Sequence, residues 1–152
     1  MDPKRLAFGV APVLAAAVLG GLGSRNAPEV YGRLHKPRWA PPASVFGPVW
    51  TTLYVGIGVA GWRLYRSAPQ RVRTLHLVQL ALNAAWSPTF FGVRDKRASL
   101  FVISALDAAV AAEVAALRRA DPVAAALLAP YLAWAGFATA LNAAVSDPAA
   151  QR

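Results

Sequence analysis

The 152-residue chain contains no cysteine, and only 15% of its residues are charged. The lack of cysteine excludes disulfide frameworks, zinc ribbons and iron–sulfur ligation. Soluble domains carry charges at about 25% of their positions, so this chain has too few to cover a surface that faces water all round. Hydrophobic residues make up 57% of the chain, and its mean hydropathy is +0.39. This composition excludes a disordered tail and indicates a protein that resides in lipid.

Acidic residues are also scarce, with 7 Asp and Glu against 16 Lys and Arg, and the formal net charge is +9. The basic residues lie in small groups between apolar runs, such as Lys4-Arg5 and Arg118-Arg119. This distribution is typical of loops that meet lipid headgroups. A nucleic-acid-binding domain concentrates its basic residues on one face. We therefore expect the lipid bilayer as a partner and no nucleic acid.

Five apolar runs are each long enough to cross the hydrocarbon core, which needs about 20 helical residues. Apolar and polar residues do not alternate with a period of two, the pattern that would indicate a β-barrel. Since only helices and closed barrels satisfy all their backbone hydrogen bonds in lipid, the runs are predicted to be helices. The sequence predicts an all-α membrane protein, a five-transmembrane-helix bundle that forms a single domain over residues 1–152. Its helices are predicted at roughly 6–24, 44–63, 74–93, 98–118 and 122–146, with a lid loop at 25–43.

The first apolar run has a second interpretation, a cleaved signal peptide, since Lys4-Arg5 precede a stretch that contains Ala15-Ala16-Ala17. Its length favours a retained helix. Five helices would place the two termini on opposite sides of the membrane. The orientation stays open, because the 16 basic residues divide equally between the two sides and the positive-inside rule needs an asymmetry.

Aromatic and amide side chains recur at helical spacing on three of the predicted helices, and each set shares one face. The sets are Phe46, Trp50 and Tyr54; Gln79, Asn83, Trp86, Ser87 and Phe90; and Tyr131, Trp134, Ala138, Leu141 and Asn142. Polar side chains are costly in lipid, so these faces should point into the bundle. Two interpretations are open: simple helix packing, or a pocket for a large, flat, mostly apolar ligand.

The predicted loop contains Pro37, Pro41 and Pro42, which restrict its backbone and should make it stiff. A stiff aromatic loop at the membrane boundary fits a lid over a pocket. It fits an interfacial anchor equally well, with Trp39 in the aromatic belt.

Two acids lie within the fourth predicted helix. Asp107 is either a proton-coupled carboxylate or a side chain hydrogen-bonded to a neighbouring helix or a dimer seam. Glu113 is expected to extend toward Arg118 or Arg119 at the helix end. His76 is expected at the interface. With 2 histidines, no cysteine and no clustered carboxylates, the sequence predicts no metal site.

Three blocks of sequence resemble the TspO/translocator family. The first is Lys36-Pro37-Arg38-Trp39-Ala40-Pro41-Pro42, followed by Trp50-Thr51 and Leu53-Tyr54; the second is Gln79-Leu80-Ala81-Leu82-Asn83 with Trp86-Ser87-Pro88; and the third is Pro130-Tyr131-Leu132 with Trp134 and Leu141-Asn142. Their order and spacing, together with the five-helix plan, match over roughly residues 6–145.

The resemblance implies an intramembrane pocket for porphyrins and other hydrophobic ligands, capped by the first loop, in a protein that is usually a homodimer. An Ala-rich face of the fourth helix is consistent with such a dimer. Carried over by position, the ligand-binding residues are Tyr31, Trp39, Pro41, Trp50, Tyr54, Asn83, Trp86, Ser87, Phe90, Trp134, Ala138 and Leu141. The implied ligand is protoporphyrin IX or haem, with no obligatory cofactor.

The expected function is that of a sensor or regulator of tetrapyrrole metabolism in a bacterial-type cell membrane. The alternatives are a transporter of porphyrins or other hydrophobic ligands, and a light-dependent enzyme that degrades protoporphyrin. No catalytic residue is firmly assigned, and Trp50 and Trp134 are the candidates for the enzyme. The sterol-recognition pattern of animal relatives is missing, since the first basic residue after Tyr131 is Arg152.

Overall fold

The computed structural model describes residues 1–147, and these residues form six α-helices and no strand. The helices are α1 (Pro3–Gly23), α2 (Ala27–Arg33), α3 (Phe46–Ser67), α4 (Gln70–Ser87), α5 (Lys96–Ala120) and α6 (Pro122–Ala144). A 3-10 turn, Ala43–Val45, leads into α3, and a π-helical turn, Pro88–Val93, continues α4. Arg152, on which the missing sterol pattern depends, lies outside the described residues.

The all-α prediction is confirmed, but the count of five helices is not matched, because the predicted lid loop contains the short helix α2. Its Pro28 lies in the first helical turn, where the missing N–H has no intrahelical partner to lose. Four helical segments of the described chain are long and apolar enough to span a membrane: Pro3–Gly23, Ala43–Ser67, Lys96–Ala120 and Pro122–Ala144. Helix α4 is outside this set, since Arg71, Arg73, His76, Gln79 and Asn83 lower its hydropathy.

Three aspartates begin long helices by accepting a hydrogen bond from a backbone N–H in the first turn. Asp2 accepts from Lys4, Asp95 from Ala98 and Asp121 from Ala124. Because of these caps, α1 and α5 begin before the apolar runs from which the two helices were predicted. Both helices therefore begin a few residues earlier than the hydrophobic pattern indicates.

The helices pack in neighbouring pairs around one main core. Helix α1 packs against α3 and α4, while α6 packs against α3 and α5, and α5 also contacts α4. Ile57, Leu64, Ile103 and Leu128 are fully buried in this core. On the outside, large apolar side chains such as Leu14, Val18, Val55 and Phe101 are exposed. A surface of this kind is stable against acyl chains.

Helices α1 and α3 approach closely because glycine lies where they cross. A β-carbon on Gly9 would lie 2.9 Å from the carbonyl oxygen of Gly58 and 2.9 Å from Cβ of Trp62. Any larger residue at position 9 would push the two backbones apart. The crossing fixes the position of α1 beside the aromatic face of α3.

Candidate ligand-binding site

A cavity of about 390 Å³ lies between α1, α3 and α4, with α2 on one side. This volume falls within the range of small-molecule sites. Half of the ligand-binding residues expected from the sequence line it, namely Tyr31, Trp50, Tyr54, Asn83, Trp86 and Ser87. The cavity therefore brings together residues that are far apart in the sequence, from α2, α3 and α4.

The other six expected residues lie outside the cavity lining. The ring of Trp134 packs on Phe46 and Phe137, with centroid distances of 5.7 and 5.2 Å. Trp39 is 50% exposed and meets Phe137 edge-on at 5.7 Å. Both tryptophans thus join an aromatic group that lies behind Phe46.

The remaining four of these residues support the cavity wall or the core. Phe90 stacks on Trp86 at 5.3 Å, and the carbonyl of Pro41 accepts a hydrogen bond from the Tyr31 hydroxyl. Ala138 and Leu141 are buried between helices. Phe90 and Pro41 thus contact lining residues, and none of the four lines the cavity itself.

Several lining residues were missed by the sequence analysis, above all on α1. Ala17, Gly20, Gly21 and Ser24 form one wall, and Phe91 replaces the expected Phe90. The signal for α1 was present as small residues at helical spacing, which leave room beside a helix. Phe46 was placed on the aromatic face of its helix but was not assigned to the site, and it also lines the cavity.

Tyr31 is held firmly in the segment that covers the cavity. Its hydroxyl donates to the carbonyl of Pro41 at 2.5 Å, and its ring meets Phe46 edge-on at 5.3 Å. Burial raises the pKa of this phenol above its ordinary value. Lys36 Nζ donates to the carbonyls of Tyr31 and Leu34 at 2.6 and 3.2 Å and lies 4.7 Å from the Tyr31 ring centroid.

The cover is also tied to the end of α6. The backbone N–H of His35 donates to the carbonyl of Ser146 at 2.9 Å, and the N–H of Ser146 donates back at 3.1 Å. These bonds restrain the segment between α2 and α3 near its start, two residues after α2 ends. The arrangement is consistent with the stiff lid that the prolines indicate.

A buried hydrogen-bond chain links the cavity wall to α6. The Tyr54 hydroxyl donates to Asn83 Oδ1 at 2.9 Å, and Asn83 Nδ2 donates to the Tyr131 hydroxyl at 3.0 Å. Tyr131 then donates to Gln79 Oε1 at 2.8 Å. Since its only proton is used in this chain, the Tyr54 oxygen can act only as an acceptor toward a ligand.

The two cavity tryptophans differ in the availability of their indole N–H groups. Trp86 Nε1 donates to Asn142 Oδ1 at 2.9 Å. Trp50 packs on Tyr54 and Tyr131, with centroid distances of 5.6 and 6.2 Å, and its N–H has no hydrogen-bond partner within residues 1–147. A ligand in the cavity therefore meets one free indole donor, at Trp50.

His76 and Glu113 form a fully buried pair, with Nδ1 of His76 2.5 Å from Oε1 of Glu113. The expectations of an interfacial His76 and of a Glu113 directed at Arg118 or Arg119 are therefore wrong. Gly61 makes room for the imidazole, since a β-carbon there would lie 2.7 Å from Nε2 of His76. This contact inside the bundle avoids the cost of leaving either polar group without a partner in lipid.

Asp107 joins α5 to α6 through the hydroxyl of Thr139, which lies 2.5 Å from Oδ2. The same hydroxyl is 2.9 Å from the carbonyl of Ala135. The Thr139 hydroxyl is thus the donor for both oxygens, and its one proton is shared between Asp107 Oδ2 and the carbonyl of Ala135. This geometry favours the interpretation of Asp107 as a hydrogen-bonded side chain between helices.

A second, apolar groove of about 530 Å³ lies between α1 and α3 on the outer surface of the bundle. Ala17 and Tyr54 line both this groove and the cavity. In the described part of the chain, no group of three or more His, Asp or Glu side chains could hold a metal ion. The chemistry of the cavity is thus that of aromatic rings with a few hydrogen-bonding groups.

The sequence model of the TspO/MBR family matches residues 8–146, almost all of the described chain. The chain belongs to the TspO/MBR family. Among its relatives, the translocator protein of Homo sapiens is 38% identical over 143 residues, which cover 90% of this chain and 85% of the human protein. The tryptophan-rich protein TspO of Archaeoglobus fulgidus is 37% identical over 143 residues, 90% of this chain and 93% of the archaeal protein.

A bacterial relative, the tryptophan-rich sensory protein of Cereibacter sphaeroides, is 37% identical over 115 residues. The alignment covers 75% of this chain and 73% of that protein. Membership of the TspO/MBR family agrees with the four apolar helices. The protein is therefore a multi-pass membrane protein.

Proposed function

We propose that this TspO/MBR protein binds a flat, largely apolar molecule, a porphyrin such as protoporphyrin IX or haem, in the cavity between α1, α3 and α4. Its role would be that of a sensor or regulator of tetrapyrrole metabolism. The observation that carries the proposal is a cavity with aromatic walls: Phe46, Trp50, Tyr54 and Trp86 surround a space that holds few polar groups. Aromatic rings bind flat conjugated ligands by stacking.

The polar groups at the cavity support a ligand that carries both donors and acceptors. Trp50 offers an indole N–H, and the Tyr54 oxygen accepts because its proton is directed at Asn83. In a low-dielectric site, such bonds fix the orientation of a ligand that stacking alone would leave free to rotate.

We also propose that α4 is the fifth transmembrane segment. With its π-helical turn it extends from Gln70 to Val93, long enough to cross the hydrocarbon. Three of the polar side chains that lower its hydropathy are bonded inside the bundle, since His76 pairs with Glu113, Gln79 with Tyr131 and Asn83 with Tyr54. The other two, Arg71 and Arg73, lie in its first turn. A homodimer in a bacterial-type cell membrane remains part of the proposal, with close contact through the small residues of α5.

Titration of purified protein with protoporphyrin IX, followed by the porphyrin absorption band, tests the binding proposal. Trp50→Ala should weaken binding about tenfold, because one stacked aromatic contributes about 1–1.5 kcal/mol. Phe101→Ala is the matched control, since Phe101 is 75% exposed on the outer face of α5. Unchanged affinity in a Trp50→Ala/Tyr54→Ala double variant would contradict the assignment of this cavity.

The alternatives of transport and light-dependent degradation use the same cavity and are separated by two measurements. Degradation requires the porphyrin band to bleach under light with the wild type and to persist with Trp50→Phe. Transport requires net flux of porphyrin across proteoliposomes, and a role for Asp107 in that flux requires sensitivity to Asp107→Asn. A pure binding protein shows neither bleaching nor flux.

A further inference from the structure

A depression of about 810 Å³ lies at the end of the bundle where α4 begins and α5 ends. Arg71, Arg118 and Arg119 line it together with Val72, Ala115 and Ala116, and within residues 1–147 no acidic side chain lines it. It shares no residue with the porphyrin cavity. Three positive charges around one concave surface create a strong local attraction for anions.

The other arginines at this end of the bundle already have partners within the chain. Arg63 pairs with Asp121 at 3.0 Å, and Arg66 pairs with Asp2 at 3.3 Å. The Arg5 side chain donates to the carbonyl of Trp62, and that of Arg73 to the carbonyl of Tyr65.

By contrast, Arg71, Arg118 and Arg119 are exposed and have no partner within residues 1–147. Two acidic residues, Asp2 and Asp121, lie at this end of the bundle just before a helix begins. Both are already paired, Asp2 with Arg66 and Asp121 with Arg63. The three arginines that line the depression thus keep their hydrogen-bonding capacity for a group from outside the chain.

The depression has a polar part at the end of the bundle and an apolar part closer to its middle, which matches the headgroup and the acyl chains of a lipid. The three arginines lie within the last turn of α5 and the first turn of α4, the helix ends that meet the headgroups when both helices span the membrane as proposed. Ala115 and Ala116 lie one turn further along α5, toward the hydrocarbon, and their small side chains leave space there.

From this arrangement we propose a binding site for an anionic phospholipid, with the phosphate on Arg71, Arg118 and Arg119 and an acyl chain along Ala115 and Ala116. One guanidinium group can donate two parallel hydrogen bonds to two oxygens of a phosphate. A phosphate ligand therefore accounts for the grouping of three arginines better than a general need for positive charge does. A second copy of the chain is a poor occupant, since a symmetric contact would bring six arginines together.

Lipid retention measured by native mass spectrometry tests the site. Protein is purified from mixed vesicles that contain equal amounts of phosphatidylglycerol and phosphatidylcholine. We expect the wild type to retain phosphatidylglycerol about tenfold over phosphatidylcholine, and the Arg71→Gln/Arg118→Gln/Arg119→Gln variant to retain both about equally.

The matched control is Arg25→Gln/Arg38→Gln/Arg97→Gln, which removes the same charge from three exposed arginines at the opposite end of the bundle. These arginines also have no partner within residues 1–147. The control should retain the wild-type preference. If both triple variants lost the preference for phosphatidylglycerol equally, the site would be overturned, because lipid retention would then depend on net charge alone.

A second arm separates a lipid headgroup from a free anion. Inorganic phosphate at millimolar concentration should leave the bound phosphatidylglycerol in place, and displacement of the lipid would overturn the phospholipid assignment. If the triple variant folds poorly, Arg119→Gln alone should reduce the preference about threefold, and an unchanged preference in that variant would contradict the site.

Discussion

At the scale of the residue, the buried pair of His76 and Glu113 joins α4 to α5 outside the cavity. Both side chains are fully buried, and they meet across α4 and α5. Nε2 of His76 and Oε2 of Glu113 have no partner in the described chain. The pair therefore depends on its single mutual contact, and the loss of either member leaves the other unbonded inside the bundle.

We expect Glu113→Leu to lower the free energy of unfolding by about 3 kcal/mol, because it leaves the imidazole buried without its partner. The His76→Leu/Glu113→Leu double variant should recover most of this loss, since an apolar pair of similar volume is often as stable as a buried polar pair. Unfolding by sodium dodecyl sulfate in mixed micelles measures both values. Equal destabilisation in the single and double variants would contradict the pairing.

Several residue roles followed from the sequence, and several did not. The spacing of Trp50, Tyr54 and Asn83 placed them on inward faces, and all three line the cavity. Trp134 has the same kind of spacing but packs behind Phe46. Helical periodicity defines the face on which a residue lies, whereas the rotation of each helix against its neighbours decides which part of that face borders a space.

At the scale of the element, the start of α6 joins two helices through one carboxylate. Asp121 caps α6 through the N–H of Ala124, pairs with Arg63 of α3 and accepts from the hydroxyl of Ser67 at 2.9 Å. Burial raises the pKa of Asp121, but these hydrogen bonds and the Arg63 charge outweigh it and hold the pKa below its ordinary value.

A carboxyl whose pKa is lower in the folded state stabilises the fold above its unfolded pKa, about 3.9, and loses that contribution as the pH falls through the folded value. We therefore expect the free energy of unfolding of the wild type to fall as the pH is lowered below about 4. Asp121→Asn keeps a capping side chain but no charge, so its fall over the same range should be smaller. Unfolding curves at a series of pH values measure the difference.

The matched variant Asp121→Ala removes the cap as well as the charge, and it should lower the free energy of unfolding by about 1 kcal/mol at neutral pH. Parallel pH profiles for the wild type and Asp121→Asn would show that the carboxylate does not link α3 to α6. The capping role of Asp121 was not predicted from the sequence, because an apolar run indicates only which residues lie in the hydrocarbon and not which residue caps the helix.

At the scale of the whole molecule, the path of the chain through the membrane depends on α4. Four helical segments are apolar enough to span the bilayer by themselves, whereas His76 and Gln79 in the middle of α4 find their hydrogen-bond partners inside the bundle. If α4 spans, the connections on its two sides lie on opposite faces of the membrane.

Cysteine labelling tests this topology cleanly, since the natural chain has no cysteine. With a membrane-impermeant thiol reagent on sealed vesicles, Arg25→Cys and Arg97→Cys should react from the same side, and Gln70→Cys from the opposite side. The wild type is the control and should not react. Labelling of Gln70→Cys and Arg97→Cys from the same side would contradict a spanning α4.

The sequence by itself determined the membrane environment, the all-α fold, the approximate positions of the five long helices and the inward direction of the aromatic faces on three of them. These features depend on composition and on the helical period, which can both be read from the sequence without knowledge of contacts between distant segments. Only the tertiary structure decided that α1 forms a wall of the cavity, that Trp39 and Trp134 lie outside it, and that His76 meets Glu113. Those relations depend on how the helices rotate and cross, which is set by side-chain packing between segments distant in the chain.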